Sequence, residues 1–528
     1  MKLWKLYLII LIPIVLSPLA FLDFTPYNLA PQGARCAYVV VTMAIYWLLE
    51  LLPLPVTALV PVVMFPFLGV LGTTDVCLCY FEPVNMLMVG GLIVAIAIEE
   101  CGLHRRIALK IMLSVGTGPR ALLYGFMLTT MFLSMWLSSI AVTVMMIPIA
   151  LVVLDETQDD GDSKRSREFR KMLLLSVAYS ANIGGTGTMT GSTPNLALMG
   201  FLEKQSEDLA SGLNFSTWFA LAMPGMVLNL HIAYIWLQIV FLPWPWKREK
   251  QSKNETIQVS LQRHYQELGR FSATEIAVTC CFVAMVLLWF LRSPEFMPGW
   301  ADLFSWTEVN GKKIGIGNAT PVILVAILLF VIQTRSNGVW KPILDWKTVQ
   351  GKLPWGLIIL LGGGFAMAEA SERSCLSYWI GTRLSLLGDV FDSWVLVIII
   401  CILVSFITEV TSNTATANVI LPILIQLSIS LGLSPVYLAF PAAITCSYAF
   451  MLPVATPPNA MAFDAAGNLK TQVMFCIGIV INLACVLTTF LTIQFYAPLI
   501  LDMDITPELG NGTETNPNIC ATILAKLS

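Results

Sequence analysis

The sequence predicts an all-α polytopic membrane protein with an inverted internal repeat and two re-entrant hairpins. Three observations carry this. Of 528 residues, 57% are hydrophobic and 12% charged, with a mean hydropathy of +0.77; soluble domains carry about 25% charge. Long stretches contain no charge yet are too short for the crossings their flanks demand. Motifs in one half recur in the other.

Apolar stretches able to span a bilayer fall near 6–22, 36–52, 54–73, 84–98, 216–242, 273–291, 317–334, 354–368 and 473–498. The first follows Lys2 and Lys5 and resembles a secretory signal. Pro13, Pro18 and the lack of a small-residue cleavage site favour a retained helix. Between the spans, 121–153 and 172–202 hold no charged residue, and 393–463 holds only Glu409. These three stretches are rich in Gly, Pro, Ser, Thr and Asn, which a plain lipid-facing helix does not need.

Basic residues set the orientation. With the N-terminus cytoplasmic, 22 of the 30 Lys and Arg fall inside, chiefly in the segments 105–120, 164–171, 247–270 and 335–352. Eight fall outside, among them Lys204, Arg373 and Arg383. Both flanks of 121–153 are then cytoplasmic. Two crossings need about 40 apolar residues, and 33 are present. The stretch therefore reads as a hairpin with its tip near Met135–Ile140. By the same count 393–432 is a second hairpin, entered from outside. Irregular backbone at membrane depth must be buried in protein or line a cavity.

The repeat agrees. Val89-Gly90-Gly91 before Cys101-Gly102-Leu103 parallels Gly362-Gly363-Gly364 before Ser374-Cys375-Leu376. Ser138-Ser139-Ile140 parallels Ser412-Asn413-Thr414, and Thr193-Pro194-Asn195 parallels Thr456-Pro457-Pro458-Asn459. The chain thus reads as one transporter domain, 1–528. It comprises a first repeat 36–202 with hairpin 121–153, connecting helices and a basic cytoplasmic loop 203–316, a second repeat 317–498 with hairpin 393–432, and an extracellular tail 499–528. In inverted repeats the substrate sits at the midplane between broken segments.

The polar residues in these stretches suit such a site. Hydroxyls and amides both donate and accept. Helix N-termini at hairpin tips favour anions, and unwound carbonyls favour a small cation such as sodium. No Lys or Arg lies there, so an anion would be held by dipoles, hydroxyls and co-bound cations. The alternative, that small residues merely allow close helix packing, serves for one motif but not for four paired across a repeat.

Other classes lose their ligands or their charge. A net charge of −3 leaves no basic footprint for nucleic acid. The three histidines, His104, His231 and His264, are scattered. The 12 cysteines form no CxxC pair, so buried inert thiols are expected rather than a zinc site or disulfides. A channel would want a ring of charges. An intramembrane enzyme would want a partner for Glu409, here read as an orienting or proton-sensing group.

From about residue 35 to residue 500 the chain resembles the divalent anion/sodium symporter family, which includes sodium-coupled dicarboxylate, citrate and sulfate transporters. The stretch Thr408-Glu409-Val410-Thr411-Ser412-Asn413-Thr414-Ala415-Thr416-Ala417-Asn418 is similar to that family's second hairpin tip. Ser447 to Ala460 is similar to its C-terminal pattern, and Gly184-Gly185, Thr188 and Gly191 before Pro194-Asn195 to its first break. The resemblance implies about 11 transmembrane helices plus the two hairpins, elevator-type movement, a homodimer in lipid, and no cofactor beyond sodium as coupling ion. It implies a plasma-membrane secondary transporter, not an enzyme, that carries di- or tricarboxylates with sodium. A sodium-independent exchanger and a sulfate transporter remain as alternatives. Substrate would meet Ser138, Ser139, Ser412, Asn413, Thr414, Thr456 and Pro457. One sodium would meet Ser134, Ser138, Ser139, Gly184 and Gly185, the other Thr408, Asn413 and Ala455.

One departure stands out. The family's first tip reads Ser-Asn-Thr; here it is Ser138-Ser139-Ile140. Ile140 cannot hydrogen-bond a carboxylate and is expected to fill an apolar gap. Altered sodium coupling follows from this departure. Of the sequons at Asn214, Asn254, Asn318 and Asn511, the last is the expected glycosylation site.

Overall fold

The computed structural model describes residues 3–501 except 22–28, 117, 158–163, 206–211, 243–250, 295–296, 305–307, 310–311, 314, 337–338, 389 and 468. Asn511 and most of the tail lie outside the described residues.

The described chain is helical apart from two small antiparallel hairpins, the longer pairing Gln333–Ser336 with Val339–Pro342. The first half holds α1 (Leu3–Phe21), α2 (Pro31–Leu48), α3 (Leu54–Thr57), α4 (Val60–Phe67), α5 (Thr73–Leu78), α6 (Pro83–Glu100) and α7 (Leu103–Val115). Next come α8 (Pro119–Ser134), α9 (Ser139–Thr157), α10 (Lys164–Gly184) and α11 (Thr193–Gln205). The connection holds α12 (Phe215–Phe241), α13 (Gln251–Glu267) and α14 (Ala273–Phe290). The second half holds α15 (Ala319–Val331), α16 (Trp346–Lys352), α17 (Trp355–Arg373), α18 (Leu376–Leu384), α19 (Ser393–Ile407), α20 (Asn413–Ser430), α21 (Pro435–Thr445), α22 (Pro457–Ala466) and α23 (Thr471–Leu491).

Local chemistry explains the starts. Proline stands at the opening turn of α2, α6, α8, α21 and α22, where its missing N–H is not needed. Capping boxes at Asn214/Thr217 and Ser272/Glu275 open α12 and α14. Among the described residues six helices are long and apolar enough to cross a membrane, seven with the α16–α17 pair, which is bent by 61°. The stretch 54–73 is not one continuous span. Pro55 and Pro61 start α3 and α4, and Gly69 at φ +67° ends the run.

The two expected hairpins are the pairs α8–α9 and α19–α20, turning at residues 135–138 and 408–412. Two further helices break: α10 gives way to α11 over residues 185–192, and α21 to α22 over 446–456. The halves interlock, with α10 packed on both α8 and α22, and α11 packed on α20. A Cβ at Gly184 would lie 2.4 Å from the Met131 carbonyl oxygen, so glycine alone lets α10 approach α8. Gly364 does the same for α17 against Asn418, at 2.5 Å.

The cysteine expectation needs correction. Ten cysteines are free, but Cys375 is disulfide-bonded, to a partner outside the described residues. Its position at the N-cap of α18 was read only as part of a repeat. Of the thiols in apolar runs, Cys281, Cys401, Cys446 and Cys485 are buried, whereas Cys280 and Cys476 are exposed. A buried ion pair also escaped the sequence reading. Arg106 on α7 holds both carboxylate oxygens of Glu275 at 2.8 and 3.2 Å and the carbonyls of Leu268 and Gly269.

Candidate functional site

The unwound segments need partners for backbone groups that the helices release. One asparagine serves each break. The Asn195 amide donates to the carbonyls of Gly185 and Thr188 at 3.1 and 2.8 Å. The Asn459 amide donates to those of Ala449 and Leu452 at 2.8 and 3.1 Å. Both reach ten and seven residues back, so the repeat extends to hydrogen-bond register. These asparagines are fully buried and hold the breaks open from behind.

Cross-half bonds then join the two broken segments to each other and the first of them to the second tip. The Asn182 amide donates to Thr456 Oγ1 at 3.2 Å; the Ser192 and Ser447 hydroxyls lie 2.9 Å apart, and those of Thr193 and Thr414 2.6 Å apart. Glu409, 2% exposed, accepts from the backbone N–H of Met451 and Leu452 and from the Asn482 amide, all within 3.1 Å. It ties the second tip to the chain leading into Thr456.

A cavity of about 710 Å³ lies where the four segments meet. Ser138, Ser139, Ser412, Asn413, Thr414, Ala455, Thr456 and Pro457 all line it. The other four expected residues stand behind its wall. Ser134 is buried and donates to the Ala181 carbonyl at 2.6 Å, and Thr408 is buried and donates to the Ser405 carbonyl at 3.1 Å. Gly184 packs on Met131, and the Gly185 carbonyl is taken by Asn195. Thr193, of the repeat motif, also lines the cavity, as do Asn182 and Ser192, which the motifs do not include. Asn182 is a polar residue inside a charge-free apolar run, which was the available signal.

Two features bear on charge. Among the described residues, the cavity lining contains no Lys or Arg. The Asn413 side-chain carbonyl oxygen is enclosed and has no hydrogen-bond donor. Six other asparagine side-chain oxygens among the described residues share this state, but Asn413 alone of the seven lines the cavity, where a cation could complete it. At the first tip Ile140 is 45% exposed and lines the cavity, so it fills no apolar gap, contrary to expectation. Ser138 Oγ accepts the Ala141 N–H at 3.2 Å and opens α9.

Known proteins place this arrangement. Residues 1–502 match the sodium:sulfate symporter transmembrane region. The chain is 38% identical to the Na(+)/citrate cotransporter of Mus musculus over 94% of its own length and 97% of that protein. It is 37% identical to Na(+)/dicarboxylate cotransporter 3 of the same organism, over 98% and 96%. The solved structure of Neisseria gonorrhoeae MtrF superposes with a TM-score of 0.52 at 13% identity, covering 80% of this chain and 82% of that one, a likeness of fold alone. The chain is a multi-pass membrane protein and belongs to the sodium:sulfate symporter family, the divalent anion/sodium symporters.

Proposed function

We propose that the protein is a secondary transporter, not an enzyme, that carries di- or tricarboxylates by sodium symport. The carrying observation is a cavity between two hairpin tips and two broken helices, lined with hydroxyls and amides and, among the described residues, without a cationic side chain. A carboxylate there meets the N-termini of α9 and α20, which supply N–H groups and a positive dipole end, and that of α22, which opens on Pro457-Pro458 and adds its dipole without free N–H groups. Charge balance then falls to co-bound cations, and the unpartnered Asn413 oxygen, with backbone carbonyls near Thr408 and Ala455, is the proposed place for one sodium. The other would sit by Ser134, Ser138, Ser139 and the Gly184-Gly185 turn. Substrate would touch Ser138, Ser139, Ser412, Asn413, Thr414, Thr456 and Pro457. The names of the relatives, sodium-coupled citrate and dicarboxylate cotransporters, support this reading.

The finer architecture follows the resemblance. Counting each broken helix as one crossing and each hairpin as none, the helices make eleven crossings in two inverted repeats, here read as a homodimer moving its tips like an elevator. The plasma membrane with a cytoplasmic N-terminus is the orientation proposed. The disulfide at Cys375 supports an oxidising environment at the outer end of α17. A glycan on Asn511 and none on Asn254 fits this orientation, and the reverse overturns it. The function is tested by uptake of succinate, citrate and sulfate with and without sodium. Sodium-dependent succinate or citrate uptake is expected; sulfate uptake alone, or uptake indifferent to sodium, overturns the assignment in favour of a sulfate carrier or an exchanger.

A further inference from the structure

Among the described residues lining the cavity, Glu50 alone is ionisable, and it is an acid in a site read as taking an anion. It follows α2 at the cavity's open mouth, where it is exposed together with Val410 and Val454, which is 82% exposed. Its backbone is left-handed, φ +45°, a conformation that suits glycine; Cys375 is the other described non-glycine residue of this kind. The Lys5 ammonium bonds the Glu50 carbonyl oxygen at 2.6 Å, which holds the turn from the backbone and leaves the carboxylate at the mouth. Strain of this kind persists where surrounding structure over-determines it and is concentrated at functional sites.

We infer that Glu50 is a charge filter at the mouth of the cavity, drawing monovalent cations toward the two tips and opposing the approach of anions from that face. Lys5 bonds the Glu50 backbone from outside the lining, so Glu50 is the charge that faces the cleft, and a charge at the rim of a cleft with apolar walls focuses its field inward, raising the local concentration of one sign and lowering that of the other. The inference rests on the transport reading for its consequence. An anion released at this face would be hindered from rebinding, while a cation would not, so the mouth favours discharge of the anion. Its electrostatic part stands without that reading.

The test separates the two. In purified full-length protein in detergent, Val454→Cys is modified by a cationic and by an anionic methanethiosulfonate reagent, with the parent protein subtracting its own exposed thiols. The ratio of cationic to anionic rates is compared for Glu50, Glu50→Gln, Glu50→Gly and Glu50→Asp. The expected result is a fall of about threefold or more in Glu50→Gln and Glu50→Gly, a retained ratio in Glu50→Asp, and a difference that shrinks with added salt. An unchanged ratio in both neutral variants overturns the filter. A loss shared by Glu50→Asp does so too, since shape would then be the cause. In cells the same neutral variants should lower the half-saturating internal anion concentration for efflux about threefold, leaving that for uptake unchanged. A changed modification ratio with unchanged efflux keeps the filter and rejects the transport consequence.

Discussion

The Thr193 hydroxyl lies 2.6 Å from the Thr414 hydroxyl, so the broken helix of the first half is hydrogen-bonded to the hairpin tip of the second. The contact spans 221 residues of sequence. It makes the cavity wall a joint product of both repeats. Removing either hydroxyl leaves the other without this partner, so Thr193→Val and Thr414→Val should not be additive. A double-mutant cycle on thermal stability in detergent should give a coupling of about 0.5–1.5 kcal/mol. A coupling of zero would mean the two hydroxyls act separately.

Asn413 and Asn459 are both polar residues of the repeat motifs, yet they should fail differently. Asn459 satisfies two carbonyls of the unwound chain, and Asn459→Ala leaves both buried and unpaired, at about 2–4 kcal/mol. Asn413→Ala removes an oxygen with no internal donor, so its stability should stay within about 0.5 kcal/mol of wild type while transport is lost. Melting curves and uptake on the same preparations separate these outcomes. Wild-type uptake in a well-trafficked Asn413→Ala protein removes the second tip from the site.

At the first tip, Ser139→Asn with Ile140→Thr should strengthen sodium dependence. Each new hydrogen-bonding group contributes about 0.5–1.5 kcal/mol, or a few-fold to tenfold in apparent affinity. Because Ile140 is 45% exposed in the cavity, its replacement leaves no packed void to offset the gain. Uptake against sodium concentration reads the effect. Identical sodium curves would show that this tip does not govern coupling.

Lys204, at the end of α11, bonds Glu82 at 3.0 Å and Glu369 at 3.3 Å, with its side chain 14% exposed. Glu369 also holds Arg373 at 2.7 Å. Replacing one member of a largely buried network strands its partners. Lys204→Met should lower stability by about 1–3 kcal/mol, whereas Arg263→Met, from an exposed pair with Glu267, should change it by less than about 0.5 kcal/mol. Thermal unfolding of the two variants checks the contrast. Equal melting temperatures would reduce the Lys204 network to surface charge.

The helical, membrane-spanning class was legible in the residues alone, and so were the chain interruptions at 135–138 and 408–412, because apolar run length, the placement of Lys and Arg, and Gly–Pro interruptions are local properties. Hydroxyls and amides in charge-free apolar chain need a reason to be there, and eight of the residues so marked line the cavity. Tertiary structure decided what each does. Asn195 and Asn413 look alike in sequence, but the Asn195 amide donates to two carbonyls of a break, whereas Asn413 lines the cavity. Ser134 and Thr408 differ from Ser138 and Ser412 only in the face they turn, which depends on how α8 meets α10 and how α19 meets its neighbours. The Arg106–Glu275 pair, the bond from Lys5 to Glu50 and the charge at the cavity mouth join segments distant in the chain. Such contacts leave no periodicity to read, because they form only when the helices pack.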